Sequence, residues 1–405
     1  MNLVIAAVSS NRAMSGVSRH AANLTKCLLN RPELSALHLL VAPWEYKHMC
    51  EAIARKDKRL HIHPIGVRPG TLYRNLWYYR SLPAIAEQLR ADIVHIAYPS
   101  PIRSGSIPCP AVLTLHDLYP FDIPANFGFP KVMLNRMVLR HCLTNATAIA
   151  CVSESTKLRL GLKMPEVLPK AVTICNSVES GPIPSVPSFA ATWGNAPFLL
   201  CVAQHRRNKN VLLAIRAFKR VIAAGQITSD SRLVIVGVPG PESAKIYCFV
   251  RATGLSERIV FVSGISDAEM TWCYRNCELL LAPSSVEGFG LPVVEAELAG
   301  CRIVCSDIPA FREVGNEGCR YVELTQDSDQ QFAKAIVLSL RERRPLPSHL
   351  PHLSPANIAD QYVRLYNAVL SPASAGVAPV APKGKAVAMP AQTSITDEVP
   401  NAAQF

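Results

Sequence analysis

Short apolar runs recur along this chain, and each is followed by a longer amphipathic segment. In the first half the runs fall at 3–8, 36–41, 93–97, 111–115, 148–152 and 171–175. Between them lie stretches such as SGVSRHAANLTKCLLN and YRSLPAIAEQLR, whose apolar residues return at helical spacing. Unbroken apolar runs of this length read as strands buried on both faces. Strands of that kind, joined by helices, build a parallel sheet with helices packed on it. The pattern halts at SGPIPSVPSFAATWGNAP, rich in proline, glycine and serine, which reads as a linker. It then restarts, with strands expected at 198–203, 232–236, 259–262, 279–282 and 303–306 and helices at 211–224, 268–277 and 292–299. The chain is therefore expected to hold two doubly wound α/β domains, 1–180 and 198–354, joined by a linker at 181–197. An amphipathic helix is expected at 355–370, and the Ala-, Pro- and Ser-rich stretch 371–405 is expected to be disordered.

Composition narrows the class. Apolar residues make up 49% of the 405 and charged residues 18%, which suits a packed globular protein. No apolar stretch reaches the ~18 residues that a membrane-spanning helix needs. The N-terminal apolar run is short and has no basic stretch before it, so it reads as a first strand and not a signal peptide. The 13 cysteines are odd in number and scattered through core segments. Cys273 and Cys277, and Cys301 and Cys305, have spacings that tempt a four-thiolate zinc reading. No CxxC knuckle is present, and no metal is expected. Reduced thiols point to a cytoplasmic setting.

The net charge is +12. Residues 1–185 hold 21 Lys and Arg against 11 Asp and Glu, whereas 186–370 hold 19 against 17. A basic first half suggests an anionic partner, such as a membrane surface or a lipid-linked phosphate, with attraction that fades in salt. A soluble surface that is merely basic accounts for it as well. No nucleic-acid-binding motif is present, and nucleic acid is not expected as a partner.

The most informative stretch is PSSVEGFGLPVVEAELAG, residues 283–300. It leaves a strand, turns through Gly288 and Gly290, and enters a helix near Leu291 or Pro292, where proline is tolerated. Ligands of open α/β sheets bind beyond the carboxyl ends of the strands, and the first turn of the next helix favours phosphate. Glu287 on the loop and Glu295 one turn into the helix are placed to grip vicinal hydroxyls; a capping carboxylate plus a solvent-facing residue is the plainer alternative. A second stretch, CVAQHRRNKNVLLAIRAF, puts His205, Arg206, Arg207 and Lys209 at another strand tip, where cations meet a diphosphate. In the first domain, His116-Asp117 and Gly16 could equally be a cap pair and a plain turn. Ser153 and Glu154 read as a capping signal.

Residues 198–315 resemble the donor-binding domain of the retaining glycosyltransferases of family 4, which have the GT-B fold of two Rossmann-like domains facing a cleft. The RNKN stretch, FVSGISDAEM and PSSVEGFGLPVVEAELAGCRIVCSDIPAFREV carry that resemblance. It extends over the first domain through SGVSRHAANL, LTLHDLYP and ACVSES, and spans roughly residues 1–370. The resemblance implies transfer of a sugar, with mannose as a candidate, from a nucleotide diphosphate sugar to a carbohydrate or lipid-linked acceptor in bacterial polysaccharide or glycolipid assembly. It implies no metal and no other cofactor. It implies that Arg206 and Lys209 bind the diphosphate, with Arg207 as the alternative arginine. Glu295 would bind the ribose, Glu287 the transferred sugar, and Gly16 would let a first-domain loop approach the phosphates. His116 would face the reacting sugar, and Gly288, Phe289, Gly290 and Leu291 would line the donor site. It is consistent with a cytoplasmic protein, peripheral on the inner face of the membrane. The stretch CNSVES departs from the family's Asn-Gly-Val-Asp turn, and Glu297 stands where an apolar residue is common. A non-catalytic nucleotide-sugar-binding protein and a nucleotide-sugar epimerase are the rival readings.

Overall fold

The computed structural model describes residues 1–10, 16–103, 105–191, 193 and 196–371. The disorder expected of the tail concerns 372–405, outside the described residues.

Two parallel sheets carry the chain. The first holds β1 (Asn2–Ala6), β2 (Ala36–Val41), β3 (Leu60–Pro64), β4 (Ile93–Ile96), β5 (Ala111–Leu115), β6 (Ala148–Cys151) and β7 (Ala171–Thr173). Its strand order is β3-β2-β1-β4-β5-β6-β7. The second holds β8 (Phe198–Val202), β9 (Arg232–Val236), β10 (Ile259–Val262), β11 (Leu279–Ala282), β12 (Ile303–Ser306) and β13 (Cys319–Val322), in the order β10-β9-β8-β11-β12-β13. The central strands β1, β4, β5 and β8 are buried along nearly their whole length. That is why they appear in the sequence as unbroken apolar runs.

Two strands escaped the sequence reading, and both are edges. In β3 (LHIHP) histidines alternate with apolar residues, and no residue is fully buried. In β13 (CRYV) only the end residues are buried. An edge strand covered on one face has no apolar run to display.

Each sheet is sandwiched by two apolar layers. The C-terminal helix Pro355–Leu370 follows the second domain in sequence but packs on the first, where Ile358, Tyr362 and Tyr366 join the layer containing Leu3, Leu24 and Leu28. A buried polar chain fixes it there. Tyr366 Oη pairs with His95 Nδ1 (2.7 Å), His95 Nε2 pairs with Thr114 Oγ1 (2.8 Å), and Thr114 Oγ1 meets Tyr362 Oη (3.3 Å). Within the proline-rich stretch, Phe189 and Trp193 pack on the second domain, and Trp193 lies under the Arg232 guanidinium.

Candidate active site

In both sheets the strand order reverses beside the first strand of the domain: between β1 and β4, and between β8 and β11. Chains leaving the two sides of such a switch point diverge and open a crevice at the carboxyl edge of the sheet. The loop after β8 carries Arg206 and Lys209, and the loop after β11 carries Glu287. These two strands are direct neighbours, with Leu279 opposite Leu199. The two most informative stretches of the sequence therefore meet at one crevice.

They meet in contact. Lys209 Nζ donates to Glu287 Oε1 at 2.5 Å, with side-chain exposures of 20% and 9%. Tyr119 Oη, from the first domain, donates to Glu287 Oε2 at 3.2 Å. The carboxylate is thus held between one cation of its own domain and one hydroxyl of the other. Asn208 supports the loop from below, donating to Val286 O (3.2 Å), while Ser285 N donates to Asn208 O (2.8 Å).

The glycines serve packing. A Cβ on Gly288 would lie 1.8 Å from the carbonyl oxygen of His116, so only glycine lets the loop pass under the first domain. Gly290 has φ +109°, and a Cβ there would press on the Phe311 ring at 2.9 Å. Phe289 is buried in the second domain's core and anchors the loop, and Leu291 opens the helix Leu291–Leu298 half-buried.

The first domain grips this loop from above. Ser153 Oγ (2.5 Å) and Thr156 Oγ1 (3.0 Å) donate to Gly288 O, and Arg159 Nη2 donates to Glu287 O (2.8 Å). Glu313 reciprocates from the second domain. Its carboxylate accepts the N–H groups of Glu154 (2.8 Å) and Ser155 (3.0 Å), capping the helix Glu154–Lys163 across the domain boundary. Ser153 is the helix N-cap, accepting from Thr156 N, as the capping reading of VSES expects; its bond to Gly288 is additional. Asp117 also makes a cap-like bond, accepting from Tyr119 N at 3.0 Å.

His116 follows β5, and its carbonyl oxygen lies against Gly288 of the second domain. Its Nε2–H donates to Ala97 O (2.8 Å), leaving Nδ1 with its lone pair. Burial pushes its pKa down to about 4, so the ring is neutral at physiological pH. His20 stands edge-on to it, ring centroids 4.7 Å apart, and is tied through Nδ1 to Asn176 Oδ1 (2.8 Å). Burial raises the pKa of the neighbouring Asp117, opposed by the charges of Arg159 and Arg206. Arg206 lies on the loop after β8, on the opposite domain from Asp117. It is half-buried where Arg207 is exposed, and both line a cleft of about 300 Å³ with Arg216, Glu242 and Lys245.

Glu295 sits one turn into its helix, where Tyr274 Oη donates to its Oε2 (2.7 Å). Burial raises its pKa, and the Arg19 charge opposes that rise. Arg19, from the first domain, pairs with Asp267 of the second at 2.7 Å. Gly16 begins the helix Gly16–Leu29, with open space where a Cβ would stand; the loop residues 11–15 before it lie outside the described residues. Glu297, at its unusual position, is 3% exposed and accepts from Asn316 N (2.6 Å) and Cys319 Sγ (3.3 Å). Tyr119, Arg159, Glu313, Arg19, His20 and Tyr274 carried no local signal, because each acts across a distance of 20 to 250 residues or so along the chain.

The overall architecture matches that of the Anabaena protein HepE in complex with UDP and glucose, with a TM-score of 0.64 at 16% identity, covering 91% of this chain and 98% of that one. Two facing Rossmann-like domains of this kind define a GT-B glycosyltransferase fold. The profile for glycosyl transferases group 1 matches residues 189–350, and that for glycosyltransferase family 4 matches residues 14–180. The chain belongs to the GT-B glycosyltransferases of family 4. It is 27% identical over 222 residues to an O-antigen chain mannosyltransferase of Salmonella typhimurium, covering 55% of this chain and 59% of that one. It is 26% identical over 256 residues to a serotype-specific mannosyltransferase of Escherichia coli, covering 58% of this chain and 31% of that one. The chain therefore matches about three fifths of the first relative's length and under a third of the second's.

Proposed function

We propose that this protein transfers mannose from a nucleotide diphosphate mannose to a hydroxyl of a saccharide or lipid-linked acceptor in polysaccharide assembly, with retention of configuration and without a metal. The observation that carries the reading is the seat of Glu287 at the β8–β11 switch point, between Lys209 of its own domain and Tyr119 of the other. The mannose assignment leans on the relatives' names.

Donor binding would work as an exchange. The incoming diphosphate takes Lys209 and Arg206, and the first-turn N–H groups of the helix Leu291–Leu298 add to the positive field. Glu287, released from Lys209, turns to the sugar. Glu295, already oriented by Tyr274, accepts from the ribose hydroxyls. As the sugar–phosphate bond lengthens, positive charge grows on the ring and negative charge on the diphosphate, and the cations stabilise the leaving group. The acceptor hydroxyl attacks from the face the diphosphate leaves, giving retention, and its proton passes to the departing diphosphate oxygen. Neutral His116 presents its Nδ1 lone pair to the reacting sugar or acceptor.

The test is thermal denaturation against GDP-, UDP- and ADP-linked sugars, then nucleotide release with and without acceptor. Stabilisation by GDP-mannose that disappears in Lys209→Ala supports the reading. Stabilisation by a different nucleotide sugar would overturn the mannose assignment, and nucleotide release that ignores the acceptor would overturn transfer.

A further inference from the structure

The loop after β8 sends its side chains two ways. Asn208 and Lys209 reach the loop after β11, where Asn208 donates to Val286 O and Lys209 to the Glu287 carboxylate. Arg206 and Arg207 instead line the cleft of about 300 Å³ beside the helices Val211–Ala223 and Ser243–Ala252. Lys209, Glu287 and Glu295 take no part in lining it. These two helices follow β8 and β9, so the cleft belongs to the β8–β9 side of the sheet, whereas the crevice that seats Glu287 belongs to the β8–β11 side.

The charge of the cleft suits an anion. Arg206, Arg207, Arg216 and Lys245 line it against one carboxylate, Glu242. Among the described residues, Arg206, Arg207 and Arg216 form no ion pair and no side-chain hydrogen bond. The Arg216 guanidinium lies over the Phe249 ring at 5.5 Å, a stacking that holds the group and leaves its N–H edge free. Lys245 meets Glu242 only at 3.9 Å. Guanidinium groups that converge without carboxylates repel one another, and a phosphate relieves that repulsion while filling their planar N–H forks.

The remaining groups narrow the ligand. A volume of about 300 Å³ lies at the small end of ligand sites. Glu242 is half-buried, and its ionised carboxylate is an acceptor with no proton to give. Val211 and Ile246, both buried, supply an apolar side. A bare phosphate would set a second anion beside Glu242. A phosphorylated sugar gives its phosphate to the arginines, a hydroxyl to Glu242 and its C–H face to the apolar side.

We infer that this cleft is a second ligand site, separate from the donor crevice, and that it takes a small phosphorylated sugar. The inference does not need the transferase reading, because binding is measured without turnover.

Arg206 serves the donor in the proposed reaction and lines the cleft as well, so the substitutions fall on Arg216 and Lys245, which line the cleft alone and are exposed. Calorimetric titration of the full chain with mannose 1-phosphate should show binding, with inorganic phosphate weaker by at least about tenfold and mannose silent. Arg216→Gln with Lys245→Gln should weaken mannose 1-phosphate by at least about tenfold, the loss of one charge-assisted hydrogen bond, and leave GDP-mannose affinity within a few-fold. Lys209→Ala should do the reverse. Circular dichroism and the melting temperature show each variant folded. The proposal is overturned if mannose 1-phosphate does not bind at millimolar concentration, or if the Arg216 and Lys245 pair leaves its binding unchanged. Loss of mannose 1-phosphate in Lys209→Ala, or parallel loss of GDP-mannose in the glutamine pair, would make the cleft part of the donor crevice and overturn it too. Inorganic phosphate binding as tightly as the sugar phosphate would leave Glu242 without a role and overturn the ligand class. Failure of GDP-mannose to bind, with mannose 1-phosphate still bound, would instead sink the donor reading and leave this one standing.

Discussion

Alanine at position 288 is the sharpest perturbation this site offers. Its methyl carbon would stand 1.8 Å from the His116 carbonyl oxygen and 2.9 Å from the carbonyl carbon. Both obstacles are backbone, so no side chain can turn aside. A carbon–oxygen contact relaxes near 3.3 Å, which requires the loop and the first domain to separate by about 1.5 Å. Both bonds to Gly288 O, from Ser153 and Thr156, stretch with that movement, as do those of Arg159 and Tyr119 to Glu287. A misplacement of ~1 Å at a reacting centre costs about a hundredfold in rate. The expectation is therefore a kcat lower by about two orders of magnitude. Donor affinity should hold within a few-fold, because Arg206, Lys209 and Glu295 lie in the second domain and need no closure to meet the nucleotide. Steady-state nucleotide release gives kcat, and calorimetric titration gives the donor Kd. An unchanged kcat would refute the claim that the glycine is there to let the domains meet. A large loss of donor affinity with normal kcat would refute the division of labour between domains.

Three further outcomes follow from the same contacts. Lys209→Met should weaken donor binding and also lower the melting temperature, because Glu287 keeps its burial and loses its cation; unchanged donor affinity by calorimetry would count against the diphosphate role. Tyr119→Phe should lower kcat by up to about tenfold with little change in donor Kd, since one neutral hydrogen bond to the positioned carboxylate is lost; an unaltered kcat would remove Tyr119 from the site. His95 and His116 have pKa values pushed down by burial to about 3 and about 4 from the ordinary 6.5. The unfolded chain takes up these protons first as pH falls, so their stabilisation is complete above pH 6.5 and is lost as pH drops through 6.5 towards 4 and 3. The melting temperature should decline over that window, and His95→Gln should flatten the decline; parallel curves for the two proteins would refute the assignment.

The sheet cores were legible because burial on both faces writes itself as an apolar run; β2, β5, β9, β10, β11 and β12 begin and end where the runs do. Two of the four edge strands, β3 and β13, were not, since they need cover on one side only; the edge strands β7 and β10 still showed as apolar runs. The second-domain half of the site was legible for a local reason: Glu287, Gly288, Gly290 and Glu295 fall within nine residues of one strand–turn–helix unit. What those residues touch was not. The Gly288 carbonyl is held from residues 153 and 156, and the Glu287 carboxylate from 119 and 209. The packing that requires glycine was equally hidden: Gly288 gives room to the His116 carbonyl and Gly290 to the Phe311 ring. Helix propensity and charge spacing are properties of neighbours along the chain. The partner of a strand-tip residue is set by which strand lies beside it and which domain folds over it.

The chemistry of the boundary between domains has its own consequence. Many of the contacts that close it around the site are polar: Arg159, Ser153 and Thr156 to the glycine loop, Glu313 to a helix terminus, Asn126 to Asn208 at 3.1 Å, and Arg19 to Asp267, beside a small apolar contact where Val152 joins the second domain's core layer. Each polar contact contributes about 1 kcal/mol net, because water replaces it on opening. An apolar boundary of the same extent would resist opening far more, since its groups find no substitute partner in water. A boundary made of exchangeable hydrogen bonds can therefore shut firmly and still reopen to admit a donor and release a nucleotide. The donor-holding groups Arg206, Lys209 and Glu295 all belong to the second domain, whereas His116 and Tyr119 belong to the first. A nucleotide sugar can thus be captured by the second domain while the boundary is open, and Glu287 meets its first-domain partners only on closure. In the proposed reaction, closure is the step that separates a bound donor from one positioned to react, and Gly288 is the residue on which closure turns.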